Sequence, residues 1–139
     1  MKQELADVDL TRVSYGLLDW GTEPDGTRSR WTGPQATIFV EGRARVVEIP
    51  LKGTLPSGVP QRVEAQLDGR VANRIAAGPD WQRLRIVIPI GSANTPHRID
   101  LHVVPSWVPA EVIPGNQDLR VLGVRMGEIN VILNPDQVR

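Results

Sequence analysis

The chain has 139 residues, 40% hydrophobic and 23% charged, with 16 basic and 16 acidic side chains and no cysteine. That is the size and composition of one globular domain with a true core, and its balanced charge argues against a nucleic-acid binder, which needs a basic excess to displace phosphate counterions. The missing cysteines exclude disulfides and thiolate metal sites, and no apolar run approaches the ~18 residues of a membrane span, so direct membrane insertion is not expected.

In chain order the pattern is one of short strands. The stretch 14–35 reads as irregular and contains Trp20-Gly-Thr-Glu-Pro-Asp-Gly-Thr-Arg-Ser-Arg-Trp31, with a turn at Pro24-Asp25-Gly26. Strands are expected at 36–40 and 44–51. In 62–68, Val63, Ala65 and Leu67 alternate with Arg62, Glu64, Gln66 and Asp68, and Asp68-Gly69 then marks a hairpin. The return strand places Val71 and Ile75 on one face and Arg70 and Arg74 on the other. In 81–90, Leu84, Ile86, Ile88 and Ile90 point inward against Arg83 and Arg85. In 97–104, Ile99, Leu101 and Val103 oppose Arg98, Asp100 and His102, and His97 closes the strand end. The stretch 105–118 is again irregular, with a short helical turn expected near 110–117 or at the N-terminus. In the last run, 119–133, Leu122, Val124 and Met126 share one parity and Ile129, Val131 and Leu133 the other. One extra residue near Gly127 would keep both sets inward, which predicts a β-bulge there. Seven to nine strands without helical periodicity predict an all-β, two-sheet antiparallel β-sandwich of jelly-roll type, a single domain over 1–139 with its core at about 14–133.

No catalytic constellation emerges. Glu23 with Asp25, and Glu111 with Asp118, are carboxylate pairs of a kind that sixteen acidic residues produce by chance. Two histidines without a strained nucleophile turn make no triad. Asp100 with His102 falls short of the three or four ligands zinc takes, so no metal and no cofactor is expected. A structural calcium ion would draw on the turn residues Asp25, Asp68 and Asp80, whose turn-forming role already explains them.

Binding remains. A sugar offers apolar ring faces and polar edges, which suit a flat aromatic ringed by fixed hydrogen-bonding groups. If the chain turns at Pro24-Asp25-Gly26, the hairpin brings Trp20 and Trp31 together, with Glu23, Asp25, Arg28 and Arg30 on one rim. Those six residues are the candidate ligand site, with an Arg–carboxylate lattice holding the hairpin as the other reading. Trp107, Asp118 and Arg120 are candidates for a staple of the loop 107–118 through charge-assisted bonds.

The order Trp31-Thr-Gly33, the Leu67-Asp-Gly69 hairpin, Trp107-Val-Pro-Ala-Glu111 and Asp118-x-Arg120-x-Leu122-Gly123-Val124 resembles the β-sandwich accessory domain at the end of bacterial multi-span membrane glycosyltransferases and of related cell-surface polysaccharide proteins. The resemblance covers most of 14–133. It implies a non-catalytic, carbohydrate-associated module on the extracytoplasmic side of the cell envelope, with a glycan or sugar-lipid as ligand and a membrane glycosyltransferase as partner in cis or trans. The alternative is a purely structural or protein-interaction sandwich, which predicts a large apolar patch or an open sheet edge.

Overall fold

The computed structural model describes residues 14–90 and 95–133. Among these are nine strands: β1 Ser14–Thr22, β2 Arg28–Val40, β3 Ala44–Lys52, β4 Gln61–Leu67, β5 Arg70–Ala77, β6 Gln82–Val87, β7 His97–Val104, β8 Arg125–Met126 and β9 Asn130–Leu133. One helical turn, α1, covers Pro109–Val112. It lies where the sequence predicts one; the N-terminal alternative falls outside the described residues. All strand pairs are antiparallel.

The hydrogen-bonded path runs β5-β4-β7-β2-β8-β3-β6, with β1 added to β2 and β9 to β3. The two residues of β8 carry it from one layer to the other, because Met126 and Arg125 pair with Arg30 and Trp31 of β2 on one side and with Leu51 and Lys52 of β3 on the other. The sheet thereby curls into an all-β antiparallel sandwich. Alternation sets its core: Val63, Ala65, Ile99, Leu101, Val103, Ala36, Ile38 and Val40 from one layer meet Val47, Ile49, Leu51, Leu84, Ile86 and Ile88 from the other, with Val124 and Met126 at the join. Fully burying a side chain of this kind contributes about 1.5–3 kcal/mol.

The phase switch near Gly127 is borne out. Leu51 faces Met126 and Glu48 faces Asn130, so the β3 partner segment carries one residue more than β3 between those pairs. Leu122, Val124 and Met126 are buried, and Ile129 and Val131 pack against the core from the shifted register. The main departure is at 14–35, which is largely strand. Its period-two signal is hidden because β1 pairs with β2 through register shifts on either side of Leu17, which break the alternation. In β5 the match of Ala65 to Asn73 and of Gln66 to Val71 leaves Ala72 as a bulge, so Val71 does not share the inward face with Ile75 and is exposed. Strand β6 ends at Val87, which leaves Ile90 outside the core rather than in it.

Candidate functional site

The opening stretch is a hairpin. Gly26 N–H donates to the Glu23 carbonyl (2.9 Å), and Asp25 Oδ1 accepts from Thr27 N–H (2.9 Å), which ties the turn and holds the Asp25 carboxyl below its ordinary value. Gly26 takes the positive φ of 90° that such a turn requires. The hairpin does not bring Trp20 and Trp31 together. Trp20 pairs across the strands with Arg30, so it shares a face with Arg30 and Arg28, while Trp31 projects from the opposite face. The guanidinium carbons of Arg28 and Arg30 lie 5.1 Å and 5.0 Å from the Trp20 ring centre, within cation–π range. Arg30 also donates from Nε to the Leu18 carbonyl (2.7 Å); burial pushes its guanidinium pKa down, against the opposing charge of Asp19.

The outer face carries a row built by register: Trp31 on β2, Arg125 on β8 and Lys52 on β3. Arg125 stacks over Trp31 (5.0 Å) and donates from Nε to Ser29 Oγ (2.8 Å). Lys52 lies over Trp81 (5.1 Å). The Glu23 carboxylate folds over both cations, with Oε1 at 2.7 Å from Lys52 Nζ and 3.5 Å from Arg125 Nε, while its Oε2 is buried without a hydrogen-bond partner. Trp107 meets Trp31 edge to face at 6.2 Å and donates from Nε1 to Thr54 Oγ1 (2.8 Å). The six candidates therefore divide. Glu23 and Trp31 belong to a polar-aromatic lattice, Asp25 to its turn, and Trp20, Arg28 and Arg30 to the rim of the sandwich.

Two concavities meet at that rim. A cleft of about 610 Å³ has Trp81, Pro50 and Gly127 in its lining, together with Thr27, Arg28, Gln82, Arg83 and Glu128. Gly127 keeps this place slim: an added Cβ would lie a tight 3.0 Å from Pro50 Cβ and in ordinary contact, 3.9 Å, with the Trp81 ring. Beside it a smaller groove of about 270 Å³ is lined by Trp20, Arg30, Glu128 and apolar residues of β2 and β9. The Arg28–Glu128 ion pair (3.5 Å) stands between the two. Among the described residues no group of three His, Asp or Glu side chains converges as a metal site would need. An indole beside exposed donors and acceptors is equipped to bind a polyol by stacking and hydrogen bonds.

No family model matches the chain, and no curated protein matches it. Solved structures do. A family 35 carbohydrate-binding module from Clostridium thermocellum is similar at 10% identity over 88% of this chain and 92% of its own, with a TM-score of 0.50. The fold is that of a carbohydrate-binding-module β-sandwich. A second family 35 module, from an environmental isolate, aligns at 11% identity over 91% and 98% of the two chains, with a TM-score of 0.43. A family two carbohydrate esterase from Clostridium thermocellum, in complex with cellohexaose, aligns at 10% identity and a TM-score of 0.49; the match covers 88% of this chain and 33% of the esterase.

Within this module fold the loop after β7 is closed mainly by backbone. Trp107 and Leu122 exchange bonds of 2.9 Å and 2.7 Å, and Ala110 N–H donates to the Asp118 carbonyl (2.9 Å). Arg120 does grip Asp118, with Nε 3.0 Å from Oδ1 and Nη2 2.7 Å from Oδ2. That pair is local, spanning two residues, and it holds the Asp118 carboxyl below its usual range. Lys52, Trp81, Arg83, Arg125 and Glu128, which line the cleft or the lattice beside it, are not among the six residues the sequence points to. A usable signal existed for Arg125, a charge between the buried Val124 and Met126, and so necessarily on the face opposite to theirs.

Proposed function

We propose that this protein is a non-catalytic carbohydrate-binding module and that its glycan site is the Trp81 cleft. The observation that carries the reading is an indole in the lining of an open concavity that also presents Arg28, Arg83, Gln82, Glu128 and Thr27. A pyranose ring stacks on the Trp81 face turned away from Lys52 while guanidinium, amide and carboxylate groups bind its hydroxyls; such stacking contributes on the order of 1 kcal/mol beyond area burial. The similarity of the fold to a carbohydrate-binding module supports the same reading. Association with a membrane glycosyltransferase, in cis or in trans, and a place on the extracytoplasmic side of the envelope are finer parts of the proposal. They draw on the sequence resemblance, and fractionation of the native organism's cells, with co-purification of the transferase, tests them.

The experiment is a titration with β-1,4-linked gluco-, manno-, xylo- and galacto-oligosaccharides, read by calorimetry and tryptophan fluorescence. Binding is expected for at least one series, and Trp81→Ala should weaken it at least about tenfold, the equivalent of ~1.4 kcal/mol. Silence across all series, or binding indifferent to Trp81→Ala, rejects the assignment.

A further inference from the structure

Strand β6 turns a row of side chains outward. Leu84 and Ile86 are buried, so Arg83, Arg85 and Val87 lie on the opposite face, and all three are exposed. Trp81 continues the row by one step. The ladder sets Arg85 against Glu48 and Arg83 against Pro50 of β3, which brings Trp81 level with Lys52, and Lys52 Nζ lies 5.1 Å from its ring centre. At a rise of about 3.3 Å per residue the row from Trp81 to Val87 is about 20 Å long, with a side chain every ~7 Å.

This row joins two concavities. Trp81 and Arg83 line the cleft of about 610 Å³. Arg85 and Val87 line a second groove, of about 830 Å³, to which β5 contributes Arg70, Val71 and Asn73. Asn73 ties β5 to β6 there, its Nδ2 donating to the Arg85 carbonyl (2.7 Å). A ligand that follows the outward row passes from one concavity into the other without parting the two strands.

Charge selects that ligand. Arg70, Arg83 and Arg85 are exposed, and none of them takes part in an ion pair among the described residues. The carboxylates around the row are engaged by other groups: Glu128 by Arg28 (3.5 Å), Glu48 by Asn130 Nδ2 (3.2 Å) and Asp68 by His97 Nδ1 (2.8 Å). A guanidinium offers a planar fork that takes a carboxylate through two parallel bonds. We propose that the ligand of this module is an acidic glycan chain, a uronate-rich polysaccharide segment that stacks one ring on Trp81, runs along the outward row of β6 and pairs its carboxylates with Arg83, Arg85 and Arg70. The proposal rests on the Trp81 cleft being the glycan site and extends that site into the second groove.

The test is calorimetric titration of the full chain with octasaccharides of oligogalacturonate, oligomannuronate and hyaluronan. Each is compared with its own disaccharide and with its methyl ester, which keeps the rings and removes the charge. Polyglutamate supplies the charge without the rings. At least one acidic octasaccharide should bind saturably, at least about tenfold tighter than its methyl ester and its disaccharide, and more weakly as salt rises. The acid-to-ester ratio should fall toward one in Arg85→Gln with Arg70→Gln, and it is read within that variant. Acids no tighter than esters, disaccharides equal to octasaccharides, polyglutamate equal to the best octasaccharide, or a ratio unmoved by the two substitutions overturns the proposal; the first three comparisons need no variant. Esters or neutral oligosaccharides that bind through Trp81 with no acid preference refute the acidic chain and leave the module reading standing. Acid-preferring binding indifferent to Trp81→Ala, or silence from acidic and neutral glycans alike, refutes the cleft assignment on which both rest.

Discussion

At the scale of single residues the most informative side chain is Gln61, an uncharged polar group with no exposure at all. Its Oε1 accepts from Thr54 N–H (2.7 Å), and its Nε2 donates to the Pro105 and Gly123 carbonyls, both at 2.9 Å. One amide therefore satisfies backbone groups of three separate segments beneath Trp107, whose indole N–H bonds the same Thr54. Leucine at this position would fit the space and strip the Thr54 N–H and the Pro105 carbonyl of their partner, while the Gly123 carbonyl keeps the Thr54 hydroxyl, at about 1–3 kcal/mol for each group that water does not reach. We expect Gln61→Leu to lower stability by about 2–4 kcal/mol in urea unfolding, and Gln61→Glu to be no milder, because a carboxylate cannot donate to the two carbonyls. An effect under about 1 kcal/mol would show that this network is dispensable. Nothing in the sequence marks Gln61 beyond its place ahead of the alternating run 62–68, because its partners lie 44 and 62 residues away.

At the scale of elements, the inserted residue between β8 and β9 decides which side chains of the last strand face the core. Deleting the exposed Glu128 would restore a single parity from Leu122 onward, so that Ile129 and Val131 face the core on a regular strand without the bulge. The deletion is therefore expected to keep the roughly 1.5–3 kcal/mol that burial of each such side chain contributes. Urea unfolding and amide exchange in β9 and along its β3 partner from Ala44 to Glu48 should stay close to those of the wild-type chain. A large loss of stability, or raised exchange confined to β9, would show that the bulge itself is needed to seat the last strand. This break was legible in the sequence because two apolar triplets of opposite parity stand side by side. So were β4, β6 and β7, where charged and aliphatic residues alternate cleanly. The β1–β2 ribbon was not, since its register shifts and its polar outer row scramble the period. The site was legible only in part for the same reason. Parity within a strand tells which residues share a face, but Trp31, Arg125 and Lys52 meet through register across β8, and Trp81 joins them from a turn. No spacing along the chain encodes that neighbourhood.

At the scale of the whole molecule, the sandwich has one end shaped as a site and another tied shut. The Trp81 cleft lies where β2 begins and β3 finishes, and the Trp20 groove runs from there along β2 to Val40; beyond it three segments are clasped by His97. This imidazole is buried, with Nδ1 at 2.8 Å from Asp68 Oδ2 in the β4–β5 turn and Nε2 at 3.3 Å from the Gly42 carbonyl in the β2–β3 turn. Burial by itself raises the Asp68 carboxyl, but the bonds from His97 and from the Arg98 N–H outweigh it and hold the group below its ordinary value. A carboxyl depressed in the folded state contributes stability that is present above its unfolded value, about 3.9, and is lost as the pH falls through the folded one. Asp68 also has a positive φ of 50°, a conformation asparagine adopts readily, so Asp68→Asn removes the charge without straining the turn. The wild-type chain should therefore melt higher than Asp68→Asn at pH 6, and the gap should close below about pH 4 as the carboxyl protonates. The size of the gap will be modest, since the Asp68 side chain is half exposed and solvent screens the pair. Melting temperatures that differ by the same amount at pH 3 and pH 6 would locate the clasp in the shape of the turn rather than in its charge.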